Sequence, residues 1–230
     1  MEQVADHAPD SDATDEVVFP SSLKRPWLVA NAAAFTIGAG YAGGTLRALL
    51  DPAIEEAATR LDVAIVAATA TGAGALVFGM AFGIGQWLVL RRAIQAALWV
   101  PVTCIGWALA GALVGFNSGG SSWETLPSAG PITPFISPIL IALIDIVLLG
   151  TGQWLILRRA CGGAGWWPLV NVGAFLGAAL FGFAVASMLP FIAPTDFPSA
   201  KALVIVGAAG GPVYALGTWL FLSRLRRRAS

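Results

Sequence analysis

Asp145 stands near the middle of an apolar run, Phe135–Leu157, that holds no other ionisable side chain. At the centre of a bilayer such a carboxyl costs about 2.5–3.5 kcal/mol on insertion scales. It reads either as a proton or cation site, or as a protonated, hydrogen-bonded group that helps helices associate. The residue 67 places earlier is Phe78, so the acid belongs to no repeated pattern. A second polar set does. Gln86 and Gln153 each lie five residues before an arginine, and Thr218 holds the corresponding place further on. Asn31, Cys104 and Asn171 lie four or five residues after a tryptophan. With a rise of ~1.5 Å per helical residue, all six fall at similar depth. Such a layer predicts either cross-helix hydrogen bonds of about 0.6–2 kcal/mol each or a polar vestibule.

Other chemistries lack their residues. The one histidine is His7, near the N-terminus, so the apolar runs cannot supply His ligands to haem or metal. There is no P-loop and no GxSxG, and the glycines of GAGYAGG at 38–44 lie in an apolar run, which excludes a dinucleotide fingerprint. Cys104 sits inside an apolar run and Cys161 in a turn, so no disulfide is expected. The expectation is a chain without cofactor or catalytic signature.

The elements that carry the polar layer are repeated. Residues 83–93 read GIGQWLVLRRA and residues 150–160 read GTGQWLILRRA, an offset of 67 that also matches Trp99 with Trp166 and Gly106 with Gly173. A fainter copy runs from Gly217 to Arg224, and Trp27 with Asn31–Phe35 parallels Trp167 with Asn171–Phe175. A period this long marks one supersecondary unit in tandem.

Composition says what that unit is. The chain is 57% hydrophobic and 11% charged, with mean hydropathy +0.77, against about 25% charged residues in average soluble domains. Six segments approach the ~20 apolar residues of a membrane span: Trp27–Leu46, Val66–Leu90, Leu98–Phe116, Phe135–Leu157, Trp167–Leu189 and Ala202–Leu222. The fold class expected is an all-α membrane protein. Its six transmembrane helices form three tandem, parallel helical hairpins of about 67 residues, covering about 24–92, 96–159 and 164–228. Residues 1–22, with six acids in the first sixteen, predict a disordered cytoplasmic tail ahead of a domain spanning 23–230. Asp51-Pro52 predicts a short surface helix in the connection 47–65. Gly210-Gly211-Pro212 predicts a helix break, and Gly79-x-x-x-Gly83 a close-packing face.

Ten of the thirteen basic residues fall on one side of this layout: Lys24, Arg25, Arg91, Arg92, Arg158, Arg159, Arg224, Arg226, Arg227 and Arg228. Only Arg47, Arg60 and Lys201 fall on the other. This bias predicts both termini in the cytoplasm. The eight arginines from Arg91 onward are candidates for orienting the chain or holding anionic headgroups. Trp27, Trp87, Trp99, Trp154, Trp166, Trp167 and Trp219 fall near the same side, as an aromatic belt would.

The helix ends Gly85–Arg91 and Gly152–Arg158 resemble those of uncharacterised multi-spanning bacterial membrane proteins with repeated GQWLVLR-type motifs. With the third copy the resemblance covers about residues 24–228. It implies a bacterial cytoplasmic membrane location and no particular activity. Two functions are then open. One is a scaffold or accessory component that meets the lipid bilayer, other membrane proteins or a second copy of itself. The other is a small-solute or ion transporter or channel using Asp145 and the polar layer. Nucleic acid is not an expected partner. A reporter active only in the cytoplasm, fused after Ser230, should be active; a silent but well-expressed fusion would overturn the orientation.

Overall fold

Glycine pairs set how closely the helices approach. In this computed structural model, residues 18–38, 59–120, 133–189 and 200–227 are described, with the side chains of residues 60, 118–120, 133–142, 145, 200–203 and 227 outside that description. The described chain is all-helical. Helix α1 covers residues 24–38 and follows a 3-10 turn, Ser21–Leu23. Then come α2 (Arg60–Leu90), α3 (Trp99–Gly120), α4 (Thr133–Ala160), α5 (Trp167–Ser187) and α6 (Ala200–Leu222). Four stretches are long and apolar enough to cross a membrane: Leu61–Leu90, Trp99–Asn117, Ala164–Ser187 and Val204–Leu222. Large apolar side chains such as Leu109, Leu148, Leu180 and Leu220 point outward and exposed. Water would not tolerate that surface, whereas lipid would.

Each helix packs on the next, and α6 returns to α1. Along α2, Gly79 faces Thr103, Cys104 and Trp107 of α3, and Gly83 faces Val100 and Thr103. Further along, Gly111 and Gly115 of α3 face Ala67, Thr71 and Ala75 of α2. Two small-xxx-small faces, one from each helix, therefore knit this antiparallel pair. Gly106 of α3 meets Leu149 of α4, and Gly150 of α4 meets Pro168 and Asn171 of α5. Gly182 of α5 meets Val206 of α6, and Gly211 of α6 meets Ala32 and Phe35 of α1. Gly85 of α2 rests on the Ala30 carbonyl of α1.

Gly210-Gly211-Pro212 does not break a helix: α6 runs unbroken through Pro212. The glycines there serve packing. A Cβ on Gly210 would collide with the Ala178 carbonyl, and one on Gly211 would stand 2.9 Å from the Phe35 Cβ. Helix α2 starts at Arg60, inside the expected connection 47–65. Its N-terminus is fixed by a capping box, in which Thr59 Oγ1 accepts from the Asp62 N–H and Asp62 Oδ2 accepts from the Thr59 N–H. At 31 residues α2 is about 46 Å long, more than the ~30 Å hydrocarbon core. The expected surface helix near Asp51 lies outside the described residues.

The basic end is closed by an apolar plug. Trp27, Trp99 and Trp167 meet Leu90, Leu157 and Leu222 there, all six fully buried. Val18 and Phe19, within the stretch expected to be disordered, are buried in the same cluster, and the Val18 N–H donates to the Leu225 carbonyl. Cys161–Gly162 pairs antiparallel with Arg226–Arg227, and Gly163 takes the left-handed conformation (φ 77°) that lets the chain turn into α5. Deeper in, Phe35, Phe78, Phe82, Trp107, Phe175 and Tyr214 fill the space between helices, with Phe35–Tyr214 and Phe82–Tyr214 centroids 5.1 and 5.2 Å apart.

Close approach makes Gly111 sensitive. A Cβ there would lie 2.5 Å from the Ala75 Cβ and the Thr71 carbonyl, whereas one on Gly173 would meet nothing within 4 Å. Gly111→Ala should destabilise by about 1–3 kcal/mol. Gly173→Ala should be neutral or stabilise by up to ~1 kcal/mol. Thermal unfolding of the purified protein in detergent separates them, and equal midpoints would refute the packing account.

Candidate functional site

Four residues after an inward-facing tryptophan, a helix presents a side chain on the same face, one turn on. That spacing builds the polar layer. Trp27 and Asn31 pair in this way on α1, Trp99 and Thr103 on α3, and Trp167 and Asn171 on α5. All six are buried. Asn31 Nδ2 donates back to the Trp27 carbonyl at 2.8 Å, and Asn171 Nδ2 to the Trp167 carbonyl at 3.2 Å.

The other three helices complete the layer. Gln86 of α2 donates from Nε2 to Asn31 Oδ1 at 2.9 Å, and its Oε1 accepts from the Trp99 indole at 2.9 Å. Gln153 of α4 donates to Thr103 Oγ1 at 3.1 Å and accepts from the Trp167 indole at 3.0 Å. On α6 the two tasks are divided. Thr218 Oγ1 accepts from the Trp27 indole at 3.1 Å, and the Tyr214 hydroxyl, one turn earlier, donates to Asn171 Oδ1. Thr218 donates its own proton to the Tyr214 carbonyl at 2.9 Å. The bonds therefore run from helix to helix around the bundle and return to α1.

This arrangement is neutral and self-satisfied. Each amide oxygen accepts an indole, amide or phenol proton, and the layer's side chains are buried, from fully to 2% exposed. The Trp–Leu plug lies on one side and the aromatic cluster on the other. Among the described residues no three His, Cys, Asp or Glu side chains come together as metal ligands. The hydrogen bonds of this layer join helix to helix.

Of the expected layer residues, Asn31, Gln86, Gln153, Asn171 and Thr218 come together. Cys104 does not: it is only half-buried, and Thr103 beside it takes the place. The expected match of Trp99 with Trp166 fails for a related reason. Trp166 is 67% exposed, while Trp167 is fully buried and bonded. The connection from Gln153 to Trp167 is one residue longer than that from Gln86 to Trp99, 14 against 13. Trp27, Trp99 and Trp167 thus face inward instead of joining an aromatic belt. Tyr214 was not expected in the layer; its position four residues before Thr218 was the available signal.

The basic candidates lie at the plugged end. Arg91 stacks over Trp87 with its guanidinium 4.8 Å from the ring, and Arg158 over Trp154 at 5.0 Å. Arg92, Arg159, Arg224 and Arg226 are exposed. Arg227 contributes backbone pairing with Cys161; its side chain, and Arg228 altogether, lie outside the described residues. Asp145 belongs to α4, four residues before Leu149, and its side chain likewise lies outside the described residues.

No family model matches the chain, and no curated protein and no solved structure is significantly similar to it.

Gln86→Leu keeps the volume but strips the Trp99 indole of its acceptor and Asn31 Oδ1 of its donor. It should destabilise by about 1–4 kcal/mol. Adding Trp99→Phe should cost less in that background than alone. Unfolding free energies measured around this double-mutant cycle check the bond, and strict additivity would refute it.

Proposed function

We propose that this chain is an integral membrane scaffold or accessory component of the bacterial cytoplasmic membrane, without catalytic chemistry of its own. In this reading it consists of three like-oriented hairpins, 24–92, 96–159 and 164–228, that cross the membrane six times with both termini in the cytoplasm. The recurrence of one bonding scheme on three successive helix pairs supports the tandem reading. The location rests on the likeness of the GQWLVLR-type helix ends to bacterial membrane proteins.

The observation that carries the functional reading is the closure of the polar layer. A permeation path needs polar groups left open to a passing solute. Here Gln86 bonds Asn31, Gln153 bonds Thr103, Asn171 accepts from Tyr214, and the Trp27, Trp99 and Trp167 indoles donate to Thr218, Gln86 and Gln153, with apolar side chains on both sides of the layer. That supports structural pinning over a vestibule. The stacked Arg91–Trp87 and Arg158–Trp154 pairs suit a headgroup surface, where the indole is half-buried and the guanidinium meets lipid phosphate. The partners in this reading are the bilayer and other membrane proteins or a second copy of the chain.

The competing reading is a small-solute or ion transporter or channel that uses Asp145 and the polar layer. Reconstitution into vesicles loaded with a pH-sensitive dye, or with sodium or potassium indicators, decides between them. Wild type and Asp145→Asn should both leak at the rate of protein-free vesicles. A wild-type flux above that background which Asp145→Asn abolishes would overturn the scaffold reading.

A further inference from the structure

Helix α4 carries an exposed apolar stripe that ends in a charge. Leu155 and Arg159 follow Leu148 by seven and eleven residues, and all three are exposed. At 3.6 residues per turn they lie within about 40° of one another around the helix. Helix α4 stays helical through Ala160, so the stripe holds as far as the guanidinium. The matching arginine one repeat earlier, Arg92, is placed differently: α2 ends at Leu90, and Arg92 lies in the turn beyond it.

Beside this stripe a groove of about 240 Å³ runs between α3 and α4. Val102, Ile105, Gly106 and Leu109 of α3 line it with Leu148 and Leu149 of α4. Ile105, Leu109 and Leu148 are exposed, so the groove opens outward. Its floor is the seam where the helices touch, Leu149 on Gly106 and Val102 on Gly152. Arg159 stands seven residues, about 10 Å, beyond Gly152 toward the basic end. There the pairing of Cys161–Gly162 with Arg226–Arg227 holds the C-terminal arginines beside the end of α4. Among the described residues no Asp or Glu stands at this end.

We propose that this groove holds one anionic phospholipid, with an acyl chain against Ile105, Leu109 and Leu148 and its phosphate on Arg159. The proposal rests on the membrane reading above, which puts the basic end at the level of the headgroups. An apolar channel with a cation at one end matches an apolar chain with an anion at its end. Free phosphate has no use for the groove, and a hydrocarbon has none for Arg159. A zwitterionic choline headgroup brings its own cation beside the guanidinium, so the net negative lipid is favoured.

The test is native mass spectrometry of the full chain in detergent, with phosphatidylglycerol and phosphatidylcholine of identical acyl chains added at equal concentration. The first phosphatidylglycerol should bind about fivefold more tightly than phosphatidylcholine, the worth of one basic residue at an anionic surface. Arg159→Gln should remove that preference, while Arg92→Gln should leave it. Ile105→Trp, which fills the groove from an exposed position, should weaken the first binding step of both lipids to the level of the later ones. Equal affinities in the wild type, a preference that survives Arg159→Gln or is lost with Arg92→Gln, or a first step unchanged by Ile105→Trp would each overturn the proposal. So would a dimer that carries no lipid, because a second copy would then occupy the groove. Recovery of the wild type without detergent would overturn the membrane reading itself, whereas a chain that needs detergent and shows no lipid preference sinks the lipid site alone.

Discussion

Between helices in lipid there is no hydrophobic force, because the tails outside are as apolar as the side chains inside. Cohesion must come from close packing and from bonds between polar groups that have nowhere else to go. In this bundle the second source is the indole–oxygen bond. Trp99 reaches Gln86, Trp167 reaches Gln153, and Trp27 reaches Thr218. Each joins the start of one helix to the end of another, and the last joins the two ends of the described series. Removing any one helix would orphan a buried donor on a neighbour. The glycine contacts act on the same pair: Gly79 and Gly83 lie against α3 where Gln86 and Trp99 join it to α2.

The α6 station shows what the constraint is and what it is not. Glutamine is long enough to donate to one helix and accept from the next. Threonine is not, so Thr218 keeps the accepting role and Tyr214 supplies the missing donor. The bonding pattern is retained while the residue types change. Tyr214 also touches Phe35 and Phe82, so it couples the polar layer to the aromatic packing above it. The layer is built from neutral side chains, each bonded to another.

Much of this was legible in the residues. The apolar runs marked the helices, and the glutamines, asparagines and Thr218 marked the layer. The failures were local. A constant offset of 67 paired Trp99 with Trp166, because a single added residue between Gln153 and Trp167 is invisible to a fixed period. The same slip put Cys104 where Thr103 stands. The rule that survives is the four-residue step from tryptophan to polar partner, set by helix geometry and indifferent to connection length. Gly210-Gly211-Pro212 read as a break because glycine and proline weaken helices in water; here Gly210 and Gly211 lie against Ala178, Ala32 and Phe35, and tertiary contact overrides propensity. The Thr59–Asp62 cap starts α2 ahead of the apolar run that begins at Val66, so hydropathy alone does not place the helix start. Asp145 is a different case: its type and place were evident, and what it touches lies outside the described residues.

The Trp27–Thr218 bond has a consequence for biogenesis. Donor and acceptor are separated by 191 residues. At the ~5–20 residues per second of protein synthesis, the indole is made about 10–40 s before its acceptor exists. For that interval the earliest of the described helices carries an indole whose partner in the folded bundle has not yet been made. The ring of hydrogen bonds around the bundle can therefore close only once α6 has been made.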